Sequence, residues 1–395
     1  MWEDRRVGPP LSALELLVNL PHTSRNPIIL PIMRYKLLGN SGLRVSELAL
    51  GTMTFGEENG DGVADKAVSR KLFDAFIEAG GNFIDTANDY TGGTSETHLG
   101  EFIASTGERD RFIVATKYTA NMRPDDPNGG GNSRKSMVQS VEASLKRLQT
   151  DYIDLLWVHM WDSVTPIEEV MRGLDALIRS GKVLYIGVSD HPAWVVSQAN
   201  TLAELKNWTS FVALQIEYSL IQRAPERELL PMAQAFGLTI TPWSVLGAGL
   251  LTRKFSKKNF EPRERKAEFE RLAERRNEKK YGPRELGIAD AVAELAEASG
   301  RSPAQVGLNW VRQKGTIPII GTSKVSQIED SLAALGWTLT EKEMHFLDEV
   351  SNIELGFPHD FFQSRNVKKA FWGSTFDQVD RVRPIAHVDP TRMAR

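Results

Sequence analysis

Four side chains at or beside the ends of three short apolar runs could together move a proton onto an oxygen. Asp85 ends the run 83–85, Lys117 ends 112–117 (FIVATK), and His159 ends 153–159 (IDLLWVH). Tyr90 follows Asp85 by five residues, just ahead of Gly92 and Gly93. A phenol, with a pKa of about 10, is a poor acid at neutral pH. A neighbouring ammonium favours the phenolate and lowers that pKa. A carboxylate paired with the ammonium keeps it charged. A histidine at the same place can orient a carbonyl oxygen or share a proton relay. Such a group protonates a carbonyl oxygen as negative charge develops on it. The set holds no nucleophile for acyl transfer, and no side chain supplies hydride, so a cofactor must bring it. Singly, each residue has an ordinary structural use: Asp85 as a helix cap, Lys117 as a snorkelling chain, His159 in a core, Tyr90 in loop packing. Their place at three successive strand ends favours chemistry.

A scaffold that gathers strand ends is therefore required. Strand-like and helix-like stretches alternate along the chain. The strands are read at 46–53, 82–85, 112–117, 153–159, 183–188, 211–216, 238–243 and 316–320. The helices between and after them include 66–79, 95–105, 133–148, 166–180, 192–205, 225–236, 288–299, 303–313 and 325–335. The strands are short, β-branched and apolar on both faces, as in a parallel sheet covered on both sides. Eight such units predict an α/β fold, a closed (β/α)8 TIM barrel with catalytic groups at the C-terminal strand ends. A doubly wound open sheet is the alternative, disfavoured because no GxGxxG follows the first strand. A hairpin is expected at 35–45, where Asn40 and Gly42 suit the turn. Residues 1–33 read as a weakly ordered extension, 34–351 as the barrel and 352–395 as a C-terminal tail. A long insertion after the seventh strand, 252–287, mixes basic and acidic residues. It reads as a solvated helix with mixed charge pairs or as a basic flap over an anionic cofactor. The tail carries Phe357, Phe361, Phe362, Phe371, Trp372 and Phe376, which would suit packing across the barrel mouth or a partner surface.

Composition narrows the partners. Of 395 residues, 41% are hydrophobic and 25% charged, with a net charge of −3. That charge gives no reason to expect nucleic acid or an anionic membrane surface. There is no cysteine, which excludes disulfides, thiolate chemistry and Cys-ligated zinc. No metal is expected. No run approaches the ~18 apolar residues of a membrane helix, and a cytoplasmic location is expected. Oligomeric state is not readable.

DTANDY at 85–90, the lysine of VATK at 114–117 and the histidine of LLWVH at 155–159 resemble the tetrad of the aldo-keto reductase superfamily. GVSDHPAW at 187–194 and LGFPHDFF at 355–362 are most similar to its fungal aryl-alcohol dehydrogenase branch. The resemblance implies Tyr90 as general acid, Lys117 and Asp85 as the pair that lowers its pKa, and His159 as the carbonyl-orienting residue. It also implies NADPH or NADP+ as cofactor. Ser189, Asp190 and Gln215 stand where the nicotinamide carboxamide binds, with Asp190 in place of a frequent asparagine. Trp243 stands where a ring stacks on the nicotinamide. Ser244, Leu246 and Gly249 belong to a loop like the one that wraps the pyrophosphate. Gly321, Ser323, Lys324, Gln327 and Asp330 match the adenosine 2′-phosphate segment, with Lys324 favouring NADPH over NADH. Phe55, Met160 and Trp161 lie near strand ends and imply an apolar mouth suited to aromatic aldehydes or ketones. The implied function is reversible reduction of such carbonyls in fungal aromatic or secondary metabolism. Two other readings stay open: an NADP(H)-binding sensor barrel with little turnover, and a lyase or aldolase using Lys117 as a Schiff base.

Overall fold

The computed structural model describes residues 33–57, 62–252, 282–375 and 378. The extension at 1–32, the basic stretch 253–281 and most of 376–395 lie outside the described residues. Met33, assigned to the extension, is buried in the core.

A hairpin comes first: β1 (Tyr35–Leu37) pairs antiparallel with β2 (Arg44–Ser46). Gly39 in its turn has φ of 55°, and a Cβ there would sit 2.0 Å from the Val212 carbonyl oxygen. Only glycine lets the turn dock that closely. Eight parallel strands follow: β3 (Ala49–Gly51), β4 (Phe83–Asp85), β5 (Ile113–Tyr118), β6 (Ile153–Val158), β7 (Val183–Ser189), β8 (Ala213–Glu217), β9 (Thr239–Trp243) and β10 (Ile319–Gly321). Each pairs with the next from β3 to β9, and β10 pairs with β3. Across the remaining seam, Ile317 N–H donates to Ile240 O at 2.9 Å. The sheet is thus the predicted (β/α)8 barrel.

The helices on its outside are α1 (Lys66–Glu78), α2 (Thr94–Thr106), α3 (Arg134–Leu148), α4 (Ile167–Arg179), α5 (Ala193–Lys206), α6 (Leu229–Phe236), α7 (Pro283–Ser299), α8 (Pro303–Gln313) and α9 (Val325–Ala333). Beyond them lie α10 (Glu341–Val350), α11 (His359–Gln363) and α12 (Arg365–Trp372). Asp65 caps α1 by accepting from Val68 N–H, and Ser133 caps α3 by accepting from Ser136 N–H. Caps of this type contribute about 1 kcal/mol each. No helix among the described residues is long and apolar enough to cross a membrane.

Strand parity explains what fills the barrel and what tops it. Side chains two apart share a face. Phe83, Ile113, Ala115, Leu155, Trp157 and Ala213 form one interior cluster with Leu38 and Val45 of the hairpin. The next residues of the same parity are Asp85, Lys117, His159 and Gln215. The pattern that packs the interior therefore aims those four inward at the C-terminal end. Trp157 fits because β7 carries Gly187 beside it; a Cβ there would lie 2.4 Å from the indole.

Several expected boundaries shift. The first barrel strand shrinks to β3, because Ser46 belongs to the hairpin. His159 lies one residue beyond β6. The helix expected over 225–236 breaks into a 3-10 turn (Ala224–Glu226) and α6. Arg223 pins that turn by donating to Glu226 and to Asp348 O. The helix expected to reach 335 stops at Ala333 and turns at Ala334–Gly336, where Arg312 binds the Ala334 and Trp337 carbonyls. In the tail, Phe357, Phe361, Phe362, Phe371 and Trp372 are exposed, and none of these rings is buried against the barrel.

Candidate active site

The cluster at the C-terminal mouth centres on Lys117. Its side chain is fully buried and donates to Asp85 Oδ2, to Thr86 O at 2.9 Å and to Tyr90 Oη at 2.8 Å. Three partners use all three ammonium protons. Burial alone would pull the Lys117 pKa down, but the charges and hydrogen bonds of Asp85 and Tyr90 outweigh it and raise it. The lysine is therefore a fixed cation. Asp85 Oδ1 accepts from Gln215 Nε2 at 2.9 Å, a bond between β4 and β8. Sequence reasoning missed this link, although the shared parity of Ala213 and Gln215 places it inside.

Tyr90 sits at the start of a short 3-10 turn, Tyr90–Gly93, in which Thr91 and Gly92 have positive φ. Thr91 Oγ1 ties the turn to Phe55 O at 2.6 Å. Lys117 lowers the phenol pKa as expected, but burial dominates and pushes Tyr90 up, and Asp85 adds to the rise instead of joining the lysine in lowering it. At neutral pH Tyr90 is a neutral phenol whose oxygen accepts from Lys117. The phenol proton remains available for donation.

His159 packs edge-on to Tyr90, with ring centroids 6.0 Å apart. Burial, then the Lys117 charge, lowers its pKa to about 3, so the imidazole is neutral. Its Nδ1 lies 3.8 Å from Asp89 Oδ1, and neither atom has a hydrogen-bond partner among the described residues.

Around this cluster lie the residues assigned to the cofactor. Ser189 ends β7 and is buried; its Oγ has no well-formed hydrogen bond, though the adjacent Asp190 carboxylate senses it. Asp190 has φ of 47° and accepts from Trp243 Nε1 at 3.2 Å. Its side chain opens to solvent at the mouth but is crowded on its other sides, and that crowding raises its pKa to about 6. Trp243 ends β9 and is half-buried. After it, Ser244, Gly247, Ala248 and Gly249 all have positive φ. The Gly247 and Gly249 N–H groups donate within the loop, to Ser244 O at 2.8 Å and to Leu246 O at 3.0 Å. Leu246 packs inward near Gly307. Beyond β10, Gly321 and Lys324 are exposed, with Lys324 at the N-cap of α9. Thr322 Oγ1 accepts from Lys324 N–H at 3.1 Å and donates to Gln327 Oε1 at 2.7 Å, which fixes the loop through Ser323. A helix N-terminus with an exposed lysine suits a phosphate.

Two of the assigned side chains are engaged elsewhere. The Asp330 oxygens accept from Ser302 Oγ at 2.6 Å and Gln305 Nε2 at 2.7 Å, at the start of α8. Phe55 is fully buried and packs on Phe102 with ring centroids 6.3 Å apart, so it belongs to the core beneath the Tyr90 loop. Met160 and Trp161 are 41% and 39% exposed, as a pocket wall requires. Sequence reasoning gave no role to Trp194, which is 63% exposed and meets Trp161 edge-on at 5.9 Å. Among the described residues no cluster could hold a metal ion.

The Aldo/keto reductase family model matches residues 47–352. A norsolorinic acid reductase of Aspergillus flavus is 39% identical over 87% of this chain and 87% of its own length. An NADP(+) aryl-alcohol dehydrogenase of Phanerodontia chrysosporium is 39% identical over 83% of this chain and 88% of its own. An aldo-keto reductase of Aspergillus calidoustus is 36% identical over 91% of each. With the barrel and the cluster at its mouth, these similarities show that the chain belongs to the aldo/keto reductase family of oxidoreductases.

Proposed function

We propose that this protein is an NADPH-dependent reductase of aromatic aldehydes or ketones, reversible toward the alcohol. The observation that carries the reading is the contact of a neutral phenol, Tyr90, with a buried cation, Lys117, at the barrel mouth. Bound NADPH supplies the hydride. The protein's part is to hold the ring, orient the carbonyl and deliver the proton.

The residues fit that cofactor. Ser189 Oγ is buried next to the Asp190 carboxylate and suits the carboxamide, with Gln215 beside it on the neighbouring strand. Trp243 offers a ring face. The loop from Ser244 to Gly249 would wrap the pyrophosphate, as in the family it resembles, and Lys324 with Ser323 and Gln327 would hold the adenosine end. A neutral His159 aims the carbonyl oxygen toward Tyr90. As negative charge grows on that oxygen, the Tyr90 proton passes to it. The phenolate left behind is stabilised by Lys117, whose own charge is held by Asp85. The preformed cation needs no reorganisation when the charge appears.

The relatives support both directions, since one is named for reducing norsolorinic acid and another for dehydrogenating aryl alcohols. Two outcomes test the finer assignments. Lys324→Ala weakens NADPH binding by about tenfold or more, the loss of one charged hydrogen bond, and leaves NADH nearly unchanged. Titration of each cofactor by fluorescence reads this, and equal losses for both would contradict the assignment. Trp194→Ala raises KM for multi-ring aromatic carbonyls by about 3- to 10-fold, the size of an aromatic contact, with little change for a single-ring aldehyde. Parallel changes in both substrates would remove Trp194 from the pocket.

A further inference from the structure

Two polar atoms beside Tyr90 face each other without a hydrogen bond. Asp89 Oδ1 and His159 Nδ1 lie 3.8 Å apart, and neither finds another partner among the described residues. Buried polar groups are nearly always paired, so such a couple calls for an explanation. The two come from different elements. Asp89 stands in the turn after β4, directly before Tyr90, and His159 follows β6. Of the imidazole nitrogens only Nδ1 is buried and unpartnered, which leaves Nε2 as the accessible one. The mechanism above uses the His159 ring toward the substrate and assigns nothing to Asp89.

A neutral imidazole carries a single N–H. His159 can therefore donate at Nε2 or accept there, but not both, and the group facing Nδ1 decides which. We propose that Asp89 is a positioning residue that sets the His159 tautomer and so selects whether the site holds an alcohol or a carbonyl. Ionised Asp89 accepts from Nδ1–H, and Nε2 then offers a lone pair to an alcohol hydroxyl. Protonated Asp89 donates to Nδ1, and Nε2–H then faces a carbonyl oxygen. The two states differ by one proton, exchanged with solvent at the Asp89 carboxyl, whose side chain is 36% exposed. A modest side-chain rotation brings 3.8 Å to hydrogen-bond length.

The charged groups around the pair are Lys117 on β5, which favours ionised Asp89, and Asp85 on β4, which Lys117 largely offsets. Tyr90 stands next to Asp89, and the Asp89 charge helps hold the phenol protonated. Partial burial lifts the Asp89 pKa above its ordinary value, although its own backbone N–H and then Lys117 favour the ionised form. The sign follows. Carbonyl binding is favoured below the Asp89 pKa and alcohol binding above it. The inference rests on His159 orienting the substrate oxygen, as in the proposed function.

The first test needs no turnover, so its outcome is separable from that reading. The His159 ring nitrogens are followed by 15N NMR in imidazole-labelled protein, assigned by their loss in His159→Gln. The wild type is expected to carry its proton on Nδ1 at alkaline pH and to move it to Nε2 as pH falls through the Asp89 titration. Asp89→Asn, neutral and of the same shape, is expected to lose that pH response. An unchanged tautomer and pH response in Asp89→Asn would overturn the proposal. The second test is kinetic. KM for the carbonyl should rise with pH in the wild type and stay flat in Asp89→Asn, with kcat at the optimum within about threefold. Loss of kcat and KM by the same factor at every pH would mark Asp89 as merely structural and overturn it.

Discussion

Tyr90→Phe lowers kcat for carbonyl reduction by about 10²- to 10⁴-fold, the usual contribution of a positioned general acid, and leaves NADPH affinity within about twofold. The substitution removes one oxygen and keeps the ring. That ring packs edge-on against His159 and lies over the Lys117 ammonium, which is 4.6 Å from its centroid. Both contacts survive in Phe. What disappears is the proton donor, together with the acceptor for one Lys117 hydrogen bond. Steady-state rates and a fluorescence titration with NADPH separate the two effects. Full activity in Tyr90→Phe would remove the proposed acid. A large loss of cofactor affinity would show that Tyr90 holds the cofactor instead.

Lys117→Met destabilises the fold by about 3–5 kcal/mol, the cost of leaving a buried charge without its partner, and abolishes reduction. Asp85 is 2% exposed, and without Lys117 only the Gln215 amide among the described residues still bonds its carboxylate. The double variant Asp85→Leu, Lys117→Met should regain much of that stability, because a buried pair replaced by apolar side chains is often neutral. It should remain inactive. Denaturant unfolding alongside NADPH oxidation distinguishes the two quantities. If the double variant were as unstable as the single one, the pair would serve packing beyond its charge. If it were active, the cation would not be needed to stabilise the phenolate.

The barrel was legible because each unit repeats the same signals: a short apolar run, a turn, then a stretch of helical spacing. The polar cluster was legible because Asp85, Lys117 and His159 each end a short apolar run. What could not be read were features set by non-local contacts. The break before α6 depends on Arg223 reaching Asp348 O and Ser351 Oγ, far along the chain. Asp330 lay in the right segment, but its direction depends on Ser302 and Gln305 of another helix. Phe55 looked like a pocket wall because it follows a strand, yet its ring turns into the core against Phe102. The net pKa of Tyr90 could not be read for a similar reason. Sequence shows that a lysine is available, but not how deeply the phenol is buried beside it.

The proposed reaction is delivery of a proton by this mouth to a carbonyl oxygen while NADPH supplies hydride. It is tested most directly by following NADPH absorbance as the purified chain meets a panel of single- and multi-ring aromatic aldehydes and ketones. Turnover of at least one of them, with formation of the corresponding alcohol, is the predicted result. Tight NADPH binding without oxidation across the whole panel would contradict it, and would point to a barrel that holds the cofactor without using it.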